Sequence, residues 1–305
     1  MMWTFTKMHG AGNDFVVLDG MSQAIDMTPE RARALADRHF GIGADQVLIV
    51  EAPSHPEADF RYRIFNADGG EVEHCGNGAR CFVRFVHEQG LSRRNPLRAE
   101  IATGLITLHE SDSGEVSVDM GQVRHGPDAA GFDASGLESS PCGADTLWHL
   151  PLPDGSHALL SLVGISNPHA IQVVHDAAAA PVSDIGPHIE SHPRFRQRTN
   201  VGFMEIIDRH AIRLRVHERG VGETLSCGTG ACAAAVAGIH RGLLDSPVVV
   251  HTLGGTLEIS WQDERLLMTG PAATVFNGHV DIDELVRQHT AARWKSDSQC
   301  KDHTP

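Results

Sequence analysis

The hydrophobic and polar positions of this chain follow one order twice. The segments RYRIFNADGGEVEHC (61–75) and RLRVHERGVGETLSC (213–227) both begin with the apolar–polar alternation of a half-buried strand. A glycine-containing turn comes next in each half, and a long apolar stretch then ends at Gly90 or Gly242. Glycine at such a position commonly terminates a helix. We therefore predict, in each half, short strands followed by one apolar helix of about four turns.

The two halves also match residue by residue. CGNGA (75–79) corresponds to CGTGA (227–231), and Gly90 and Gly242 lie at the same distance from the two cysteines. Landmarks that recur in the same order at near-equal spacing indicate an internal repeat. Further matches upstream are Gly70–Glu71 with Gly222–Glu223, Asn13 with Asn167, and Asn66 with Glu218, the last pair closing the two predicted strands.

Composition changes at two places outside the repeat. Residues 124–145 are rich in Gly, Pro, Ser and Ala, which is typical of a linker or a long surface excursion. Residues 281–294 have the pattern of a short amphipathic helix, and residues 295–305 that of a disordered tail. We predict an N-terminal lobe over 1–123, a C-terminal lobe over 124–270 that begins with the linker-like stretch, and a return segment with a disordered tail over 271–305.

The overall composition narrows the class of protein. The 305 residues are 41% hydrophobic and carry a formal net charge of −14, which disfavours nucleic acid and anionic membrane as partners. No stretch approaches the roughly 18 apolar residues of a membrane span, and the N-terminal residues lack the apolar core of a signal peptide. We expect a soluble cytoplasmic protein.

The cysteines and histidines give no sign of a metal site. The six cysteines are expected to be free thiols, and the spacing within each half is not that of a zinc motif. The 20 histidines are scattered, without paired ligand clusters. We therefore expect no bound metal.

Cys75 and Cys227 each lie where a predicted helix begins. The partial positive charge of a helix N-terminus lowers the pKa of a thiol, and the following glycines let backbone amides approach an anion. If the two halves face each other, the backbone amides of both helix starts could bind one carboxylate. The two sulfurs would then lie on opposite faces of the adjacent carbon. That arrangement suits removing a proton from one face and delivering one to the other. The alternative, that both thiols only fill space at tight turns, is disfavoured by the duplication, whereas Cys81 and Cys232 are interpreted as helix packing.

Seven segments closely resemble the diaminopimelate epimerase family over about residues 3–280. They are KMHGAGNDF, ADRHFGIGADQ, RIFNADGGEVEHCGNGARCF, SNPHAIQVV, TNVGFMEI, RVHERGVGETLSCGTGACA and MTGPAATVFNG. The resemblance implies an isomerase that interconverts LL- and meso-diaminopimelate with two bases and no cofactor, in lysine and peptidoglycan precursor biosynthesis. It also implies an α/β (α+β) fold of two pseudo-symmetric lobes, each a curved, mostly antiparallel sheet around a central helix, with the active site in the cleft.

The resemblance also implies roles for individual residues. Positions matching the catalytic residues are Cys75 and Cys227 as the acid/base pair, with His169 and Glu218 at the reacting amino group. Positions matching the substrate-binding residues are Gly76, Asn77, Gly228 and Thr229 at the reacting carboxylate, Asn13 and Gln46 beside the amino group, and Asn66, Asn167, Asn200 and Arg219 at the distal end. The family is expected to form homodimers, and Phe276 stands at a dimer contact where the family commonly has tyrosine.

Three alternatives remain beside this assignment. A proline or hydroxyproline racemase shares the fold, but it has no need for Arg219 and the three asparagines at the distal end. A thiol redox protein should have close-set cysteines, whereas Cys75 and Cys227 lie in different halves. A noncatalytic relative should lack one or both thiols.

A pyridoxal enzyme would need a Schiff-base lysine, and none of the three lysines lies in a suggestive motif.

Overall fold

The structure is a computed structural model that describes the backbone of residues 1–72 and 75–301 and the side chains of residues 1–72 and 75–292. In chain order the elements of the first part are β1 Met2–Gly10, β2 Asn13–Asp19, α1 Pro29–Ala36, β3 Gln46–Glu51, β4 Phe60–Asn66, β5 Glu71–Val72, α2 Gly76–Glu88, β6 Leu97–Ile101, β7 Gly104–Glu110 and β8 Val116–Asp119. They are followed by β9 Arg124–His125, α3 Pro127–Ala130, β10 Ser139–Cys142, β11 Asp145–Pro151, β12 His157–Ile165, β13 Asn167–Val173, α4 Val182–Glu190, β14 Asn200–Asp208, β15 Ala211–Glu218 and β16 Gly222–Thr224. The last elements are α5 Gly228–His240, β17 Val248–Thr252, β18 Gly255–Gln262, β19 Arg265–Gly270, β20 Ala273–Asp281 and α6 Ile282–Lys301.

These elements form two compact units. The first contains Met1–Gly10, Asp14–Val116 and the chain from Ala272 onward. The second contains Ser117–Pro271 together with Ala11–Asn13. The first unit is therefore discontinuous in sequence.

The strands of the two units pair according to the same plan. In the first unit β2 is parallel to β3, β3 is antiparallel to β4, and β4 pairs with β5 and, in parallel, with β6, which is antiparallel to β7. In the second unit the same relations hold for β13, β14, β15, β16, β17 and β18 in that order. The predicted internal repeat is thus a repeat of topology.

Each unit has one long buried helix in the equivalent place of this plan. α2 follows β5, and α5 follows β16. α5 contacts β12, β13, β14, β15, β17, β18 and β19, which is the position of a helix enclosed by a sheet. Its small residues make this possible, since a Cβ added at Gly238 would lie 2.3 Å from Leu244 Cδ1. The predicted fold class, α/β (α+β) with two lobes of one plan and curved, mostly antiparallel sheets around a central helix, is confirmed.

The predicted helix ends also agree with the structure. α2 and α5 each have 13 residues. Gly90 and Gly242 follow one residue after the helix caps, with φ of 68° and 73°. Both lie in the left-handed region that glycine adopts without strain, which explains why glycine stands at both places.

The stretch 124–145 is not a linker in the structure. It contains β9, α3 and β10, and it begins after the boundary between the units, which falls between Val116 and Ser117 and not at 123/124. Its glycines make turns with positive φ, while Ala130 and Phe132 are buried in the core of the second unit. The glycines therefore form tight turns, and the buried Ala130 and Phe132 hold the segment against the core, so that it does not behave as a linker.

The segment after residue 271 also differs from the prediction. β20 pairs along its length with β1, so that this segment completes the first unit. α6 is longer than the predicted short helix and extends to Lys301, into the stretch expected to be disordered. It contacts α1, where the His289 Nε2 atom lies 3.1 Å from Asp37 Oδ2. Residues 302–305 of the predicted tail lie outside the described residues.

Candidate active site

The first predicted thiol, Cys75, caps the start of α2. Its backbone is extended, with φ −142° and ψ 117°, and Gly76 is the first residue of the helix. The Gly78 backbone N–H donates a hydrogen bond to Cys75 Sγ at 3.4 Å. Sulfur thus takes the place that a hydroxyl or carboxylate oxygen usually has at a helix N-cap.

The second thiol, Cys227, has the equivalent place at the start of α5. Its φ of −116° and ψ of 110° are again extended, and the Gly230 N–H donates to Sγ at 3.4 Å. The Thr229 hydroxyl lies 3.6 Å from the same sulfur. The sequence repeat therefore predicted correctly that both thiols stand at helix starts.

The predicted lowering of the thiol pKa is wrong for Cys227. Burial raises the pKa of this thiol well above its usual value, and the Glu218 carboxylate raises it further. The Thr229 hydroxyl and the Gly230 N–H lower the pKa, but burial and a neighbouring negative charge have the larger effect. Cys227 therefore holds its proton at neutral pH, which suits a proton donor.

Glu218 is fixed by a neighbour that the sequence analysis did not select. It ends β15, and the Thr224 hydroxyl on β16 donates to Glu218 Oε1 at 2.5 Å. The carboxylate stands close enough to Cys227 to perturb its pKa. Glu218, Thr229 and Cys227 thus lie together in the second unit.

His169 lies fully buried on β13 and is neutral. Burial and then the positive charge of Arg219 lower its pKa to about 3. Its Nε2 lies 2.8 Å from Asn167 Oδ1, an oxygen that only accepts hydrogen bonds, so Nε2 carries the ring proton. Nδ1 then presents a lone pair, and this buried atom has no hydrogen-bond partner within the described part of the chain.

Arg219 and Asn200 are joined through the backbone. The Arg219 N–H donates to Asn200 Oδ1 at 2.9 Å, and Asn200 Nδ2 donates to the Pro168 carbonyl at 3.2 Å. The guanidinium of Arg219 donates to the Gln197 carbonyl at 3.1 Å. Both ends of the Asn200 amide therefore have protein partners.

The candidate residues of the first unit lie on β3, β4 and α2. Gln46 and Asn66 are register partners at the ends of β3 and β4, and Gln46 Nε2 donates to Asn66 Oδ1 at 2.8 Å. Gln46 Oε1 is buried and lacks a partner among residues 1–72 and 75–292. The Asn77 side chain is buried in α2 and accepts from Arg80 Nη2 at 2.8 Å.

Each unit therefore carries part of the predicted set. Gly228 is the first residue of α5, just as Gly76 begins α2, and Asn13, the first residue of β2, groups with the second unit. The first unit holds Gln46, Asn66, Cys75, Gly76 and Asn77. The second holds Asn13, Asn167, His169, Asn200, Glu218, Arg219, Cys227, Gly228 and Thr229.

Tyr62, the single tyrosine of the chain, is not among the site residues predicted from the sequence. It is buried on β4 and stacks on Phe82 of α2, with ring centroids 5.2 Å apart. Burial raises the pKa of its hydroxyl well above the usual value, and the charge of nearby Cys75 raises the pKa further, while a hydrogen bond from the Cys75 backbone lowers it. The alternation along β4 could have placed Tyr62 on the inward face, but nothing in the sequence tied it to Cys75.

Two charged residues were missed as well. Arg80 is fully buried in α2, and Glu190 is buried at the end of α4. A charged residue inside the apolar stretch after CGNGA was a signal for Arg80. Glu190 gave no signal, because its role depends on a turn that lies far away in sequence.

Comparison with known proteins decides the family. The sequence profile described as diaminopimelate epimerase matches residues 5–126 and 161–275. The chain belongs to the diaminopimelate epimerase family. The resemblance seen in the sequence is thereby confirmed, and with it the expectation of an isomerase.

Members of the diaminopimelate epimerase family match this chain almost from end to end. The diaminopimelate epimerase of Burkholderia thailandensis is 61% identical over 288 residues, which cover 92% of this chain and 99% of the relative. That of Cupriavidus taiwanensis is 60% identical over 287 residues, covering 93% and 99%.

More distant solved structures share the fold of this diaminopimelate epimerase family member. A phenazine biosynthesis protein of the PhzF family from Bacillus anthracis matches with a TM-score of 0.66 at 14% identity, covering 92% of this chain and 99% of that one. A probable proline racemase from Agrobacterium radiobacter matches with a TM-score of 0.64 at 18% identity, covering 92% and 93%. None of the helices formed by residues 1–72 and 75–301 has the length and apolar character needed to cross a membrane.

Proposed function

We propose that this protein interconverts LL- and meso-diaminopimelate by exchanging the proton on one α-carbon, with Cys75 and Cys227 as the two bases. The observation that carries the proposal is the presence of two thiols at equivalent helix starts. Each receives an amide N–H from the third residue of its helix. Relatives about 60% identical are diaminopimelate epimerases, which supplies the substrate.

The reaction needs only these two proton positions. The thiolate of one cysteine takes the α-proton and becomes a thiol. The thiol of the other cysteine gives its proton to the opposite face of the carbon, and the electrons of its S–H bond stay on sulfur, so that it becomes a thiolate. One thiolate and one thiol are present before and after, so that no redox partner is needed. The pKa of Cys227 is raised, and this thiol is therefore the proposed proton donor in the empty site, with Cys75 as the first base.

An α-proton of an amino acid is a very weak acid, so the carbanionic intermediate must be stabilised. We propose that the backbone amides at Gly76, Asn77, Gly228 and Thr229 hold the reacting carboxylate. Backbone N–H groups at helix starts favour negative charge, and they need no reorganisation during the reaction. Each donor of this kind typically lowers the barrier by about 3 kcal/mol.

His169 and Glu218 are proposed to hold the reacting amino group. His169 Nδ1 is a buried acceptor, and neutral His169 adds no positive charge next to an ammonium group. Glu218 is oriented by Thr224 and supplies the negative charge that favours the ammonium form. Asn13 and Gln46 are proposed to assist at the same group.

The distal end of the substrate is proposed to lie at Arg219, whose exposed guanidinium can hold a carboxylate with two hydrogen bonds. Asn66 and Asn167 are proposed to contact the distal groups directly. Asn200 is proposed to act through Arg219, because its amide already bonds Arg219 and Pro168.

The test is an epimerisation assay on LL-diaminopimelate with L-proline as a second substrate. We expect conversion to the meso isomer, unchanged by chelators and by hydroxylamine, which would remove a metal or pyridoxal cofactor. Cys75→Ser and Cys227→Ser should each abolish it, because serine is a far poorer base. Racemisation of proline alone would favour the related racemases, and full activity in either serine variant would remove that thiol from the mechanism.

The protein is further proposed to act as a cytoplasmic homodimer. Its chemistry needs reduced thiols, which the cytoplasm maintains. Val275 and Phe276 on β20 are 56% and 46% exposed, an apolar pair suited to a partner subunit. Light scattering during size-exclusion chromatography should give twice the chain mass, and Phe276→Asp should reduce it to one. A monomeric wild type at micromolar concentration would contradict this.

A further inference from the structure

Arg219 lies in an exposed turn between β15 and β16, formed by residues 218–222 and called here the Arg219 turn. Within the turn the Val221 N–H donates to the Glu218 carbonyl at 3.1 Å. Gly220 and Gly222 have φ of 73° and 101°. Because glycine can adopt many other backbone conformations, these two residues do not by themselves fix the shape of the turn. An arginine on such a turn needs external support if it is to hold a fixed direction.

Two successive amides of the Arg219 turn are bonded by side chains from other elements. The Arg219 N–H donates to Asn200 Oδ1 on β14, and the next N–H, that of Gly220, donates to Glu190 Oε1 on α4 at 3.0 Å. Glu190 is the last residue of α4 and is only 6% exposed. The same oxygen accepts from Arg198 Nη1 at 3.3 Å.

Burying the Glu190 carboxylate costs folding free energy unless its hydrogen bonds and its ion pair are maintained. A charge that loses its partners inside a protein is strongly destabilising, so Glu190 holds firmly to the Gly220 N–H. A hydrogen bond to a charged acceptor is also about twice as strong as a neutral one. The α4 helix itself is fixed against β15, because Gly186 packs so closely on His217 that an added Cβ would lie 2.8 Å from its Cβ.

We propose that Glu190 is a positioning residue that fixes the Arg219 turn and thereby sets the affinity for the distal carboxylate of the substrate. This inference rests on the proposed function for its substrate. Glu190 acts through the Gly220 amide and touches no reacting atom. Its removal therefore raises KM while leaving the proton-transfer steps, and hence kcat, nearly unchanged.

The second unit offers a matched control. Glu205 on β14 also accepts one backbone N–H, from Ala177 at 2.9 Å, and pairs with one arginine, Arg213, at 2.6 Å. Its side chain is 15% exposed, close to the 7% of the Glu190 side chain. Within the described part of the chain, its hydrogen bonds and its ion pair join Glu205 to Ala177 and Arg213, neither of which belongs to the Arg219 turn or to the proposed substrate site. Glu205→Gln therefore removes an equivalent carboxylate without changing Arg219.

The first experiment compares Glu190→Gln and Glu205→Gln with the wild type in epimerase kinetics. We expect KM for LL-diaminopimelate to rise about tenfold in Glu190→Gln, equivalent to about 1.4 kcal/mol of binding, with kcat within about twofold. Glu205→Gln should keep the wild-type KM. Equal KM values in the two variants, or a loss confined to kcat in Glu190→Gln, would overturn the inference.

The second experiment needs no substrate, and it separates this inference from the proposed function. Amide hydrogen exchange is followed by mass spectrometry in peptides covering residues 215–225 and 174–180. Glu190→Gln should accelerate exchange at least tenfold in the first peptide, and Glu205→Gln only in the second. If exchange in the Arg219 turn accelerates as expected but the protein does not turn over diaminopimelate, the proposed substrate is wrong, whereas the proposal that Glu190 fixes the turn is supported. If Glu190→Gln leaves exchange in the turn unchanged, the positioning role fails, whatever the substrate.

Discussion

Lowering the pH from 7 to 5 should cost this protein about 2 kcal/mol of folding free energy through His169 alone. The folded pKa of His169 is about 3 because the ring is buried and near Arg219, and the ordinary value of 6.5 applies to the unfolded chain. Below pH 6.5 the unfolded state therefore binds a proton that the folded state does not. Stability is full above pH 6.5 and falls toward pH 3.

The magnitude follows from the difference in protons bound. The maximum slope is about 1.4 kcal/mol per pH unit, and integrating between pH 7 and pH 5 with these two pKa values gives about 2 kcal/mol. At pH 5 the folded ring is still essentially unprotonated, so that nearly the whole change comes from protonation of the unfolded state.

The measurement compares wild type with His169→Asn in urea unfolding at pH 7 and pH 5, followed by tryptophan fluorescence, to which Trp148 and Trp261 of the second unit contribute. The variant removes the titrating group, so its loss of stability between the two pH values should be smaller by about 2 kcal/mol. His125 and His192, whose pKa values are also lowered by burial, are present in both proteins and cancel in the comparison.

An identical pH dependence in the two proteins would show that His169 does not have a lowered pKa in the folded state. If His169→Asn does not fold well enough for comparison, an NMR titration of the wild-type imidazole replaces it, and a midpoint near 6.5 has the same meaning. A neutral His169 has a further consequence for catalysis. The acid side of the pH–rate profile belongs to another group.

Three further predictions concern the two helix starts and the distal end. Glu218→Gln should lower the pH of half-maximal alkylation of Cys227, measured by peptide mapping with iodoacetamide, because the carboxylate helps to raise that pKa; an unchanged midpoint would mean that burial acts alone. Gly230→Ala should lower kcat more than Gly78→Ala, because the added Cβ would lie 3.2 Å from Cys227 Sγ, whereas at Gly78 it would come no closer to Cys75 than 3.5 Å from its Cβ. At Gly78 the closest atom is Ile64 Cδ1, at 2.8 Å, so a cost of roughly 1–3 kcal/mol should appear in unfolding; equal kcat values in the two variants would contradict this. Arg219→Lys should raise KM for diaminopimelate at unchanged fold, because lysine cannot bond a carboxylate bidentately, and wild-type kinetics would exclude Arg219 from the site.

The repeated part of the sequence predicted the structure well. Cys75 and Cys227 were placed at helix starts, and Gly90 and Gly242 at helix ends, because capping and left-handed backbone depend on a few neighbouring residues. Each of these local patterns is ambiguous when it occurs once, but its recurrence at equal spacing in the second half removes much of that ambiguity. The ends of β4 and β15 were found in the same way.

The rest depends on contacts between residues far apart in sequence. The helix-start rule gave the wrong direction for the Cys227 pKa because burial and Glu218 outweigh the helix, and neither can be weighed before the packing is known. Glu190 bonds a turn thirty residues away in sequence, and the Tyr62 hydroxyl on β4 is hydrogen-bonded by the backbone of Cys75 at the start of α2. The segment 124–145 was misinterpreted because composition does not show which few apolar residues will anchor a glycine-rich stretch.

The pairing of β1 with β20 has a consequence for synthesis on the ribosome. β1 waits for a partner, residues 273–281, that is made only after residues 117–271, and these form one uninterrupted stretch of the second unit. Because chains emerge N-terminus first and domains fold as units, the C-terminal half of the repeat completes its fold before the N-terminal half can. During that interval the edge of β1 that will pair with β20 is open, and an open strand edge can pair with the wrong partner.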